Sequence, residues 1–194
     1  MIKVGVTGGI GSGKTFVCNK MKDRGIPVYN CDDEAKRLMQ ENPTIREQLC
    51  SLIGNEAYTN GSLNKSVIAE FLFANPDNGK QINGIVHSAV KQDFVEWASK
   101  QTTPIVMQEC ALLFEAGFQD TVDAVIAIHA PAEVRMERAM RRDHATRQQI
   151  EARMRQQLDE EEKVMRADYC IVNDGKADID KQIDNILKLI TNQP

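Results

Sequence analysis

Short apolar runs alternate along the chain with segments whose apolar residues recur at helical spacing. Five runs read as strands: Ile2–Thr7, Pro27–Asn30, Pro104–Glu109, Val122–His129 and Tyr169–Asn173. They are nearly continuous in apolar residues rather than alternating, which predicts a parallel sheet covered by helices on both faces. Toward the C-terminus, Ile179, Ile183, Ile186, Leu187 and Ile190 fall on one helical face and predict a last helix docked on that sheet. Thr44-x-x-Glu47, following Pro43, and Thr146-x-x-Gln149, before a long polar helix, both match capping boxes.

Two stretches break the simple alternation. More than 70 residues separate the second and third strands. They are mostly helical in pattern, interrupted by "NGSLN" and "NPDNG", and too long for a single crossover helix, so an inserted helical subdomain is expected. Ala132–Met165 is rich in Arg, Glu and Gln, with few large apolar residues after Met140. Such a segment is expected to bury little, and it reads equally as a projecting mobile element or as a solvated surface helix pair.

Composition narrows the class of protein. With 194 residues, 42% hydrophobic and 27% charged, the chain suits one soluble domain with room for an insertion. A net charge of −4 argues against a general nucleic-acid surface. No apolar run approaches the roughly 20 residues needed to span a bilayer, so no membrane association is expected. The start, "MIKVGV", has no hydrophobic leader pattern and reads as carrying no signal peptide. The five cysteines contain no CxxC pair and the three histidines lack metal-ligand spacing, a reduced, cytoplasmic pattern. The oligomeric expectation is a monomer or weak homo-oligomer.

The densest chemistry lies in "MIKVGVTGGIGSGKTF". Gly8 to Thr15 fits GxxxxGK[ST], with a strand before it and a helix beginning near Gly13. Glycines let backbone N–H groups converge on phosphate oxygens, and the helix N-terminus adds partial positive charge. Gly9, Gly11, Ser12, Gly13 and Lys14 are the expected nucleotide-binding residues. Lys14 reaches the β- and γ-phosphates, the Thr15 hydroxyl ligates Mg²⁺, and the Phe16 amide holds the α-phosphate. The expected ligand is a nucleoside triphosphate with Mg²⁺. GTPase markers DxxG and NKxD are absent, and the length leaves no room for motor domains, so a small-metabolite kinase is expected.

The second strand leads into "VYNCDDEAKRL". A carboxylate at the carboxyl end of the strand beside the P-loop strand would face the γ-phosphate. Asp32 is the expected general base or water-mediated Mg²⁺ holder, and Asp33 an acid of the helix's first turn. Cys31 reads as a small packed residue. In the Arg-rich stretch, Arg135, Arg138 and Arg142 share one helical stripe. Arg138 and Arg142 are read as catalytic lid arginines stabilising the transferring phosphoryl, Arg135 is left open, and Arg153 follows on the next helix. Arg141, four residues after Glu137, suits an exposed helix pair.

Taken together, these segments resemble the dephospho-CoA kinase family from Ile2 to about Gly175. "VGVTGGIGSGKT" and "GIPVYNCDDEAKRL" are similar to its loop and second strand. "NGSLNK", "IVHS", "ALLFEAG", "ERAMRRD" and "QLDEEEKVMRADYCIVNDG" follow in the family's order. The resemblance implies ATP-dependent phosphorylation of the ribose 3′-hydroxyl of dephospho-CoA, giving CoA and ADP in the last step of CoA biosynthesis. It places Asp32 as the catalytic aspartate, Arg138 and Arg142 in the lid, and Asn173 where the chain passes the adenine. It further implies that Lys65, His87 and the wall Leu112, Leu113, Phe114 and Glu115 bind the substrate. For His87 a core or helix-capping role stays open. The chain departs from the family at Asn30, where an aspartate is usual, at Ser88 and Ala111, where prolines are usual, and at Lys65, an arginine elsewhere; Thr15 keeps the hydroxyl of the usual serine.

The expected fold class is α/β: a P-loop NTPase-type three-layer fold with a five-stranded parallel sheet. Residues 1–30, 102–131 and 167–194 would form the nucleotide-binding core, 31–101 the CoA-substrate insertion and 132–166 the lid. Rival readings are a nucleoside monophosphate or other small-metabolite kinase, separable by acceptor competition, and a nucleotide-gated binding module, which would bind ATP without turnover.

Overall fold

The computed structural model describes residues 1–75 and 77–192. Pro76, inside the expected "NPDNG" break, and residues 193 and 194 of the expected 167–194 segment lie outside the described residues. The chain runs through β1 (Ile2–Thr7), α1 (Lys14–Asp23) and β2 (Val28–Asn30), then α2 (Cys31–Glu41) and α3 (Pro43–Ile53). Next come β3 (Tyr58–Thr59), β4 (Ser62–Leu63), α4 (Lys65–Ala74) and α5 (Asn78–Ser99). The remainder is β5 (Ile105–Glu109), β6 (Ala124–His129), α6 (Ala132–Asp143), α7 (Arg147–Met154), α8 (Glu160–Arg166), β7 (Tyr169–Val172) and α9 (Ile179–Thr191). Two compact units result, Met1–Asn30 with Lys100–Pro194 and Cys31–Ser99.

The first unit is built on a five-stranded parallel sheet in the order β2-β5-β1-β6-β7. Buried β-branched and other apolar residues fill the strands: Val4, Val6, Met107, Ile126, Ile128 and Ile171. Helix α1 covers them with Val17, Cys18 and Met21, and α9 with Ile179, Ile183, Ile186 and Ile190, while Leu187 is partly buried at the margin. The expected apolar face of the last helix is therefore the one that docks. Burying a side chain of this size contributes about 1.5–3 kcal/mol.

β1 matches its apolar run, the other four strands are shorter than theirs, and proline explains two of the differences. Pro27 and Pro104 have no N–H to give the ladder, so they sit just outside it; their carbonyls still accept from Met107 and Ile2 at 2.8 Å each. Val122 belongs to a turn ending a 3₁₀ segment at Phe118–Thr121, not to β6. Asn173 leaves β7 after its N–H reaches the His129 carbonyl at 2.7 Å.

The Arg-rich segment buries more than its composition suggested. Met136 and Ala139 of α6 close on Ile150 of α7, with Ile10 of the glycine-rich loop packed against them. Thr146 and Gln149 form the expected capping box, but the helix it opens is only eight residues long and α8 follows separately.

The second unit is helical. Its α3 starts earlier than the Thr44 box implied: Asn42 is the cap, accepting from Thr44 N at 2.9 Å and Ile45 N at 3.1 Å. Pro43 then occupies the first helical position, where its missing N–H costs nothing. "NGSLN" is a hairpin turn rather than a break between helices, with β3 and β4 antiparallel about Asn60-Gly61, both at positive φ as a type I′ turn needs. Ile45 and Leu49 are buried, as are Ile82, Val86, Val90 and Phe94 along α5. Arg37 of α2 donates to both carboxylate oxygens of Asp93 of α5 at 2.9 Å.

Candidate active site

Between β1 and α1 the chain makes a tight phosphate-type loop. Gly13 caps α1 in the left-handed region, at φ 93°, and offers no side-chain acceptor to the first-turn N–H groups. A helix N-terminus of this kind is a ready anion site. Any Cβ at Gly13 would lie 2.2 Å from Asn173 Nδ2, so packing requires glycine there as strongly as the backbone does. Lys14 Nζ donates to the carbonyls of Gly8 at 2.9 Å and Gly9 at 3.3 Å, which holds the ammonium over the loop. Ser12 is completely buried, so its part in the loop is through the backbone: its carbonyl accepts from Asn173 Nδ2 at 2.8 Å. Phe16 is exposed, with the Lys20 ammonium 5.3 Å from its ring centre.

Thr15 leads to a residue that sequence reasoning missed. Its Oγ1 donates to Glu109 Oε1 at 2.6 Å, and Asn30 Nδ2 donates to Glu109 Oε2 at 3.2 Å. The expectation that β2 lies beside the P-loop strand is incorrect. β5 pairs with β1 and separates it from β2, so the carboxylate ending the neighbouring strand is Glu109, not one from the second strand. The signal was present in "IVMQE", a glutamate closing the third apolar run of the sequence. Glu109 is only 6% exposed and Cys18 lies beside it. Burial pushes the Cys18 thiol well above its ordinary value and the Glu109 carboxylate adds to that, leaving an inert thiol behind the site.

The family model for dephospho-CoA kinase matches residues 2–178. The chain is 45% identical over 190 residues to the dephospho-CoA kinase of Bacteroides fragilis, covering 97% of this chain and 91% of that one. The chain belongs to the dephospho-CoA kinase family. A crystal structure from Thermus thermophilus superposes with a TM-score of 0.85 at 32% identity, covering 100% of this chain and 98% of that one. Shikimate kinase from Acinetobacter baumannii, with a TM-score of 0.59 at 15% identity over 100% and 95% of the two chains, shares the fold.

In this dephospho-CoA kinase family member, the arginines of α6 go to three different partners. Arg135 turns to Glu160, its Nε 2.6 Å from Oε2. Arg138 Nη1 donates to the Asn173 carbonyl at 2.9 Å, beside the loop. Arg142 pairs with its neighbour Asp143 at 2.7 and 3.0 Å, and Arg153 reaches the same carboxylate at 2.8 Å. Asp143 raises the Arg142 guanidinium further and is itself held low, Arg142 being the main cause. Arg142 and Arg153 are thus gathered on one carboxylate at the end of α6.

Asn173 is 7% exposed and its side chain is engaged by Ser12. Beyond it the chain turns, with Asp174 Oδ1 accepting from Lys176 N and Ala177 N at 2.8 Å each. The 112–115 segment is likewise largely used internally. Leu113 is completely buried against β1, Phe114 is buried beneath the Arg166 guanidinium at 4.4 Å, and Glu115 pairs with Lys163 at 2.7 Å. Leu112 is the half-buried member.

Within the helical unit, Asp32 and Asp33 stand in the acidic first turn of α2, where the helix dipole favours them. Asp33 Oδ1 accepts from Lys36 Nζ at 2.9 Å, the arrangement of an exposed helix acid, while Asp32 is exposed on the same turn. Cys31 is buried, as a packed residue. His87 on α5 is half-buried; burial lowers its pKa, Lys91 lowers it further and Asp32 opposes them, so it stands neutral near pH 7 within electrostatic reach of Asp32. Lys65 is exposed at the start of α4.

Proposed function

We propose that this protein transfers the γ-phosphoryl of ATP to the ribose 3′-hydroxyl of dephospho-CoA, giving CoA and ADP. The observation carrying this reading is near-full-length similarity to dephospho-CoA kinases, at 45% identity over 97% of the chain, joined to an intact P-loop leading into Lys14 and Thr15, with Glu109 of β5 against Thr15. In the reaction the 3′-oxygen attacks the γ-phosphorus while the bond to the β–γ bridging oxygen breaks. Asp32 takes the hydroxyl proton and releases it to solvent. Amides of the Gly9–Phe16 stretch bind the phosphates, and Lys14 moves from the loop carbonyls to the β- and γ-oxygens, offsetting charge that builds there.

Thr15 and Glu109 suit Mg²⁺, whose preferred ligands are oxygens: a hydroxyl and a buried carboxylate already in contact at the strand end. Held by these two residues, the ion would supply Lewis-acid charge withdrawal from the transferring group. Asn30, neutral where the family has an acid, orients Glu109 instead of adding charge. Residues 31–101, with Asp32, Lys65 and His87, serve as the acceptor insertion. Residues 132–166 serve as the lid, Arg138 and Arg142 meeting the phosphoryl group once Arg142 is released from Asp143. The five free thiols fit a reducing cytoplasm, and no helix among the described residues is long and apolar enough to cross a membrane.

Incubation with Mg·ATP and dephospho-CoA, followed by mass spectrometry and mapping of the phosphorylated position, tests the reading. One phosphoryl gained at the ribose 3′ position is expected. Transfer to AMP, CMP or shikimate in preference to dephospho-CoA would overturn it.

A further inference from the structure

Three side chains spaced three residues apart, Gln157, Glu160 and Lys163, each leave the end of the Arg-rich segment for a different part of the site. Gln157 Oε1 accepts from the N–H of Ile10 at the tip of the P-loop at 3.0 Å. Glu160, 8% exposed, accepts from Ala130 N at 2.9 Å and lies 3.2 Å from His129 Nδ1. Its Oε2 is 2.6 Å from Arg135 Nε, whose hydrogen is directed instead to the Ala130 carbonyl at 3.1 Å. The guanidinium is therefore held in place by a hydrogen bond to the Ala130 carbonyl and, toward Glu160, by charge. That place is the outer wall of the loop: a Cβ at Gly9 would meet Arg135 Nη1 at 2.5 Å and Glu160 Oε2 at 2.6 Å. Lys163, completely buried, donates to the Ala111 carbonyl at 2.6 Å and pairs with Glu115 at 2.7 Å, while Glu115 also accepts from Leu158 N at 2.8 Å.

Buried ion pairs contribute little net stability, since desolvation offsets attraction, but they restrict geometry. We propose that the 157–163 segment is a brace for phosphoryl transfer, in which Glu160 positions the P-loop through Arg135 and Lys163 positions the 111–115 wall. Glu160 and Lys163 are positioning residues, and the Lys163 half rests on the dephospho-CoA reading given above. The loop supplies the phosphate-binding amides, so an outward shift of Gly9 and Ile10 loosens nucleotide binding. A shift of Ala111–Glu115 moves the acceptor wall instead.

Glu160→Gln keeps the side-chain volume and an acceptor for Ala130 N but removes the charge holding Arg135. ATP affinity measured by titration calorimetry is expected to fall about tenfold, the scale of outer-shell losses at binding sites, with KM for dephospho-CoA within about twofold of wild type. Lys163→Met should reverse the pattern, raising KM for dephospho-CoA about tenfold at unchanged ATP affinity. If that single variant does not fold, Lys163→Met/Glu115→Gln, which removes both charges, replaces it with the same expectation. Unchanged ATP affinity in Glu160→Gln overturns the proposal. So do losses for both substrates that track a lowered unfolding midpoint, since the pairs would then serve only the fold. ATP calorimetry needs no acceptor, so a wild-type protein inactive on dephospho-CoA would remove the Lys163 half and leave the Glu160 result readable.

Discussion

Thr15 Oγ1 donates to Glu109 Oε1 across 2.6 Å, joining the first turn of α1 to the carboxyl end of β5 from positions 94 residues apart. The pair sits where β5 lies against the P-loop strand, and Asn30 completes it from β2 at 3.2 Å. Its consequence is a polar cluster assembled from the first turn of α1 and the ends of β5 and β2 rather than from one motif.

Glu109→Gln preserves an acceptor for Thr15 and removes the charge. The rate should fall about 10–100-fold with a higher Mg²⁺ concentration needed for half-maximal activity. A Mg²⁺ titration of initial rates checks this, and an unshifted titration would assign Glu109 a purely structural part.

Asp32→Asn should leave ATP affinity near wild type while kcat drops roughly 10²–10⁴-fold, the range for loss of a general base. Calorimetry with ATP beside single-turnover kinetics separates the two effects. Equal loss of binding and turnover would argue against a proton-accepting role.

Asn173→Ala strips the buried Ser12 carbonyl of its donor. The unpaired group should cost about 1–3 kcal/mol in denaturant unfolding, and ATP binding should weaken with the loosened loop. Unaltered stability would mean that the carbonyl finds another partner.

His87 has a folded-state pKa below its ordinary value of 6.5, with burial the leading cause. Between those two values the unfolded chain binds more protons than the folded one, so stability rises with pH there and falls as pH drops below 6.5. His87→Asn should flatten that acid-side slope in unfolding curves taken from about pH 5 to 7.5. A slope identical to wild type would assign the acid sensitivity elsewhere.

Hidden helix energetics can be checked at α3, where Asn42 rather than Thr44 is the cap. Asn42→Ala should destabilise by about 1 kcal/mol and Thr44→Ala by much less. The sequence box at Thr44 was misleading because Pro43 already fixes the first helical position, drawing the cap one residue before it.

Much of the fold was legible in the chain. The five apolar runs became the five sheet strands, trimmed where Pro27 and Pro104 lack a donor, and the isoleucine repeat became the docking face of α9. The P-loop was readable because its parts are contiguous: a strand, glycines at positions needing close approach, and a helix start within sixteen residues. Arg135 was harder, because helical spacing groups it with Arg138 and Arg142 although its guanidinium turns to a glutamate two helices later.

Local pattern by itself determined the five sheet strands, the last helix and the glycine-rich turn between β1 and α1, since backbone preference and side-chain periodicity act over a few residues. Tertiary structure alone decided that β5, not β2, lies beside the P-loop strand, and hence that Glu109 reaches Thr15. It also decided that Lys163 and Glu160 are buried, each beside a partner many positions away. No periodicity in a chain records which strands become neighbours; that is settled when burial of every apolar face at once selects one arrangement, and the charges it encloses must then find each other.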